Sequence, residues 1–118
     1  MSSYEKISKT SVNVSVAAEL AMIVDEISRL LPQAKVYLFG SFVNGTPHRY
    51  SDLDLCVVVP TLERNRFEMM CEIREAINDK TEYPIDLLLF SALEFEKNAG
   101  IKSRVQYEIA REGALLNA

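Results

Sequence analysis

Two short apolar runs, with a helix-length segment between them, constrain this chain more than any other feature. The first, Leu53–Val59, reads LDLCVVV and is closed by Pro60; the second, residues 85–90, reads IDLLLF and is introduced by Pro84. Both are rich in β-branched and large aliphatic residues and are bounded by proline, which predicts strands. Residues 63–78 between them carry Phe67, Met70, Ile73 and Ile77 at helical spacing, which predicts a helix with those four on its core face. A strand, a crossover of more than twenty residues containing a helix, and a second strand are the usual connection of parallel neighbours. The expected class is therefore α/β, a small mixed sheet backed by helices.

The flanking sequence fits the same plan. Val12, Val16, Leu20, Ile23, Ile27 and Leu30 recur at three and four, a helix that Pro32 helps to end. Lys35–Phe39 is a short β-rich run closing at Gly40. Ser91 with Glu94 is a capping-box pattern that starts a short helix, and Asn98, Ala99 and Gly100 stop it. Ile101, Val105 and Ile109 form a last helical stripe, with Gly113 as its cap. Residues 1–10 are polar and aperiodic, so a frayed start is expected. The tail 114–118 has no assigned structure, although Leu115 and Leu116 can pack on the core or on a partner.

At 118 residues the chain is expected to form a single domain, residues 1–118. A net charge of −4 argues against a general nucleic-acid surface, which relies on Lys and Arg. No apolar run reaches the length of a membrane span and no signal-peptide layout opens the chain, so a cytoplasmic protein is expected. Cys56 falls in a buried strand and Cys71 in a helix, without metal-ligand spacing; both read as reduced core residues.

The start of the first apolar run carries two acids that its packing does not need, Asp52 just before it and Asp54 within it. Strand side chains alternate faces, so Asp52 and Asp54 project to one side while Leu53 and Leu55 project to the other. Like charges this close repel unless a cation lies between them. Hard carboxylate oxygens without histidine or cysteine suit Mg²⁺, or Mn²⁺, shared with substrate phosphates. Asp86 heads the second run, so parallel pairing brings it to the same edge. If Lys35–Phe39 runs antiparallel to its successor, Gly40 and Ser41 arrive there too. Gly40 lets a phosphate approach the backbone, and Ser41 offers an N–H and a hydroxyl.

Gly40-Ser41, ten residues, Asp52-Leu53-Asp54 and a later Asp86 resemble the minimal nucleotidyltransferases of the DNA polymerase beta superfamily, whose signature is Gly-Ser, ten residues, Asp-x-Asp and a third strand-borne Asp. Arg111-Glu112-Gly113 also looks like that family's tail. The resemblance spans roughly residues 35–113 and implies a polymerase-beta-like fold. It further implies Asp52, Asp54 and Asp86 as catalytic and metal ligands, Gly40 and Ser41 as nucleotide contacts, and ATP with Mg²⁺ as substrate and cofactor. Short members of the family are commonly paired with a helical HEPN-type toxin. They act as its antitoxin by moving AMP from ATP onto a tyrosine of that partner. Many members carry an Arg between the Ser and the loop Gly, where this chain has Asn44.

Blander roles stand beside these. Asp52 and Asp54 can be solvated strand acids, Asp86 an exposed strand-start acid, Gly40 a turn and Ser41 a helix cap. His48 is the single histidine and reads as a surface residue. Arg49 is a candidate phosphate contact and Tyr50 a candidate base stack. Two alternatives to protein adenylylation remain open at this point. One is a noncatalytic nucleotide-binding module that neutralises a partner by occlusion. The other is transfer to a small molecule, with a homodimer cleft supplying the acceptor site.

Overall fold

The computed structural model describes residues 16–44 and 52–117. Helix α1, Ala17–Leu30, buries Leu20, Ala21, Ile23, Val24 and Ile27 along one stripe, as its three-and-four spacing requires. Leu30 ends outside that stripe, 45% exposed. Then come β1 (Lys35–Phe39), the four-residue helix α2 (Ser41–Asn44), β2 (Leu53–Val59), α3 (Arg66–Ile77) and β3 (Ile85–Ser91). Helices α4 (Ala92–Ala99) and α5 (Val105–Glu112) and the short strand β4 (Ala114–Leu115) complete the order. The sheet runs β3-β2-β1-β4. β2 and β3 are parallel neighbours across the α3 crossover, and β1 is antiparallel to both β2 and β4.

Period-two alternation along β2 and β3 divides the core. Leu53, Leu55, Val57, Val59, Leu87 and Leu89 join Val36 and Leu38 in the larger cluster, which takes in α1 and α3. Cys56, Val58 and Phe39 face the other way, where Phe95 of α4 and Ile109 of α5 cover them with Leu88 and Phe90 packed alongside. Helix α4 begins with the expected capping box: the Ser91 side chain accepts from the Glu94 N–H, and the Glu94 carboxylate accepts from the Ser91 N–H.

Several sequence expectations need correction. Helix α3 buries Met69, Ile73 and Ile77, with Met70 partly covered, whereas Phe67 is 74% exposed. The reason is rotational: Phe67 and Met69 lie about 200° apart around the helix, so a face centred on Met69, Ile73 and Ile77 excludes Phe67. Cys71 is exposed on the same helix and only Cys56 is a core thiol; both are free. Helix α5 buries Gln106 and Ile109, while Ile101 and Val105 are exposed, because the chain is not yet helical at Ile101 and the buried face is set one residue later. The tail forms β4: Leu116 is buried and its N–H bonds the Val36 carbonyl at 2.8 Å. The Asn117 side chain accepts from the Val36 N–H and donates to the Ala34 carbonyl, each at 2.8 Å.

Candidate active site

Strand register assembles the site. Asp54 of β2 is level with Asp86 of β3 in the parallel ladder and with Phe39 of β1 in the antiparallel one. The Leu53 N–H donates to the Pro84 carbonyl at 2.8 Å, which locks the starts of β2 and β3 together. By alternation Asp54 and Asp86 belong to the face of Cys56 and Leu88, the one covered further along by α4 and α5. Asp52 precedes β2 and is exposed, Asp86 is exposed, and Asp54 is half-buried.

β1 delivers Gly40 against Asp54. Gly40 takes a φ of +79°, the left-handed region open to glycine at little cost. A Cβ placed there would lie 2.1 Å from the Asp54 Oδ2 atom, so the backbone touches the carboxylate because no side chain stands between them. The Gly40 carbonyl then accepts from the Val43 N–H at 3.0 Å, and α2 starts at half-buried Ser41. Gly40, Ser41, Asp52, Asp54 and Asp86 thus share one end of the sheet.

Three residues that sequence reasoning passed over hold this end together. Phe42, 2% exposed, meets Tyr83 edge-to-face with ring centroids 5.0 Å apart, which ties the Gly-Ser turn to the segment leading into β3. Arg74 donates to the Ile85 carbonyl at 3.2 Å, beside Asp86. An aromatic directly after Gly-Ser, and another directly before the third strand's proline, were the available signals. Gly45, Pro47, His48, Arg49 and Tyr50 fall outside the described residues.

The electrostatics of the edge are one-sided. Partial burial, then the charges of Asp86, Asp52 and Glu108 of α5, push the Asp54 carboxyl from its ordinary 3.8 up to about 6. A half-buried carboxylate crowded by three others is destabilised as an anion and gains from a cation. Among the described residues, no three Asp, Glu, His or Cys side chains are grouped to hold a metal ion unaided. The all-oxygen donor set fits a hard divalent ion that completes its shell with ligand oxygens and water.

Residues 20–111 match the nucleotidyltransferase domain family. The chain belongs to that family. Among solved structures, this nucleotidyltransferase domain is similar to a chain of the toxin–antitoxin complex MntA–HpeT, in a mutant with two aspartates, two positions apart, changed to glutamate. The TM-score is 0.52 at 22% identity, over 81% of this chain and 70% of that one. A toxin–antitoxin structure with AMP-PNP gives 0.54 at 23% identity, over 82% and 71% of the respective chains. A protein from Sulfolobus solfataricus described as a nucleotidyltransferase gives 0.51 at 21%, over 98% and 86%. No curated protein matches the sequence significantly. At these identities the structural likeness speaks to the fold, an α/β polymerase-beta-like sheet. Among the described residues no helix is long and apolar enough to cross a membrane.

Proposed function

We propose that this nucleotidyltransferase domain moves AMP from ATP to a hydroxyl, that the acceptor is a tyrosine of a helical HEPN-type toxin, and that the transfer makes the domain an antitoxin. The observation that carries the chemistry is the contact of Gly40, at positive φ, with an Asp54 held level with Asp86. It seats the Asp54 carboxylate against the backbone at the sheet edge, beside Asp86 and next to the Ser41 N–H, where a metal-bound phosphate would be received. Mg²⁺ or Mn²⁺ held by Asp52, Asp54 and Asp86 would supply charge neutralisation for the triphosphate. Ser41 offers its N–H and hydroxyl to phosphate oxygens. Asp86, the more exposed of the level pair, takes the proton of the acceptor hydroxyl as its oxygen bonds to the α-phosphorus. The bond from that phosphorus to the bridging oxygen breaks, and pyrophosphate leaves with the electron pair.

The toxin–antitoxin setting is supported by the similar complexes, one with AMP-PNP and one with aspartates replaced at the spacing of Asp52 and Asp54. The test is transfer of label from ATP radiolabelled at the α-phosphate, with Mg²⁺ and the HEPN-type partner. Wild type should label the partner on tyrosine, and Asp54→Asn should not.

A second reading keeps the partner and drops the chemistry. Phe67 and Leu93 are each 74% exposed and flank the Arg66–Glu94 ion pair, at the end of the sheet away from the carboxylates. Two exposed apolar side chains there favour a protein seated at a distance from the site. A partner that binds and is neutralised without acquiring label would establish occlusion and sink the enzymatic reading.

A further inference from the structure

A triphosphate brought to this edge needs more positive charge than a metal ion supplies, since Asp52, Asp54, Asp86 and Glu108 already gather there. Half of the ten described cations are committed elsewhere. Arg29 pairs with Glu26, Arg64 with Glu72, Arg66 with Glu94 and Lys80 with Asp79, and Arg74 is bound to the Ile85 carbonyl. Lys35, Lys97, Lys102, Arg104 and Arg111 have no carboxylate partner among the described residues, and three of these five line one open groove of about 520 Å³ along α5, with Tyr107, Glu108 and Glu112.

The groove adjoins the site by topology. Helix α5 leads through Gly113 into β4, whose Ala114 is level with Leu38 of β1, so the last turn of α5 arrives beside the end of β1 that carries Gly40 and Ser41. It does so on the sheet face of Asp54, where Ile109 packs with Phe39 and Cys56. Glu108 belongs to both places, lining the groove and acting on the Asp54 charge. The Arg111 guanidinium lies over the Tyr107 ring, 5.3 Å from its centroid. That plate restrains the cation and leaves the in-plane N–H donors free for a fork-shaped oxyanion partner.

We propose that the α5 groove binds the β- and γ-phosphates of the nucleotide, with Arg111 as the principal ligand and Arg104 and Lys102 beside it. This rests on the reading of the chain as a triphosphate-binding transferase. It gives the departing pyrophosphate a cationic seat that does not depend on position 44, which is Asn in this chain.

The experiment is calorimetric binding of ATP and AMP to the full chain in Mg²⁺. Arg111→Ala should weaken ATP about tenfold or more while AMP stays within about twofold, because only the terminal phosphates lose a charge-assisted contact. Arg111→Lys should recover part of the loss, and Lys102→Ala with Arg104→Ala should show a smaller loss of the same selectivity. Lys35→Ala, at the far end of β1, should change neither ligand. An Arg111→Ala protein that binds ATP as tightly as wild type, or that loses ATP and AMP equally, overturns this inference alone. A wild type that binds neither nucleotide overturns the functional reading and this inference with it.

Discussion

Gly40→Ala separates the cost to the fold from the cost to the site. At φ +79° an L-residue pays about 1–2 kcal/mol of backbone strain. For a domain near this size that is a fall in melting temperature of about 5–10 °C. The steric part is larger but falls elsewhere. The new Cβ would meet Asp54 Oδ2 at 2.1 Å and Cγ at 3.1 Å, and the first distance is well inside contact. Asp54 must swing its carboxylate away from the edge it shares with Asp86. The expected result is therefore a folded protein, modestly destabilised, whose transfer activity falls by a factor on the order of 10² or more, as for loss of one preorganised electrostatic group. Circular dichroism melting and the α-phosphate label assay read the two quantities on one preparation. Gly100→Ala is the control, because that glycine has a φ of −90° and nothing within 4 Å of its added Cβ. It should be neutral or slightly stabilising. A Gly40→Ala protein that melts with wild type and retains transfer would refute the claim that this glycine exists to admit Asp54.

Asp54 titrates near 6 in the fold against an ordinary 3.8, so the folded chain holds its proton to higher pH than the unfolded one. Stability then falls as pH rises from about 4 to about 6 and stays lower above that window. Asp54→Asn should melt above wild type near neutral pH, with the gap closing toward pH ~4, and Mg²⁺ should raise the midpoint of wild type only; a gap constant with pH would remove Asp54 as its source. Cys56 is buried with its thiol pushed up to about 12, while Cys71 is exposed. A thiol reagent should modify Cys71 in the native protein and reach Cys56 only on unfolding; rapid native labelling of both would contradict the packing around β2. Asn117→Ala removes one bond to Val36 of β1 and one to Ala34 just before it and should cost about 1–2 kcal/mol in denaturant titration, whereas an unchanged midpoint would make that clasp incidental.

The sheet's centre was legible because it rests on short-range rules. Apolar runs closed by prolines marked β2 and β3, and a crossover long enough for a helix made them parallel, which in turn put Asp54 level with Asp86. The arrival of Gly40 and Ser41 at the same edge followed from antiparallel pairing of β1, whereas the close contact of Gly40 with Asp54 shows only in the fold. The illegible parts were those that depend on rotation or on distant partners. Phe67 shares a helical period with Ile73 and Ile77 within the tolerance of a sequence stripe, and only the packed sheet shows that Met69 carries the face. β4 has two residues and no pattern of its own; its hydrogen bonds come from a strand more than seventy positions earlier. Phe42 and Tyr83 are far apart in sequence and unremarkable singly, so their ring contact had no local signal. The groove of α5 escaped for a similar reason, since Lys102, Arg104 and Arg111 are each unexceptional surface charges until the helix aligns them.

The brief β4 and its Asn117 clasp also bear on what this protein avoids. β1 reads KVYLF, five residues of high strand propensity, and β2 occupies only one of its two hydrogen-bonding edges. Without residues 114–117 its other edge would offer bare backbone groups to any passing strand, an invitation to self-association. The last turn of sheet therefore acts as a guard rail on the strand that bears Gly40. Peeling it away would expose an adhesive edge and loosen one wall of the candidate site together, so loss of solubility and loss of activity should accompany each other in any variant that weakens this seam.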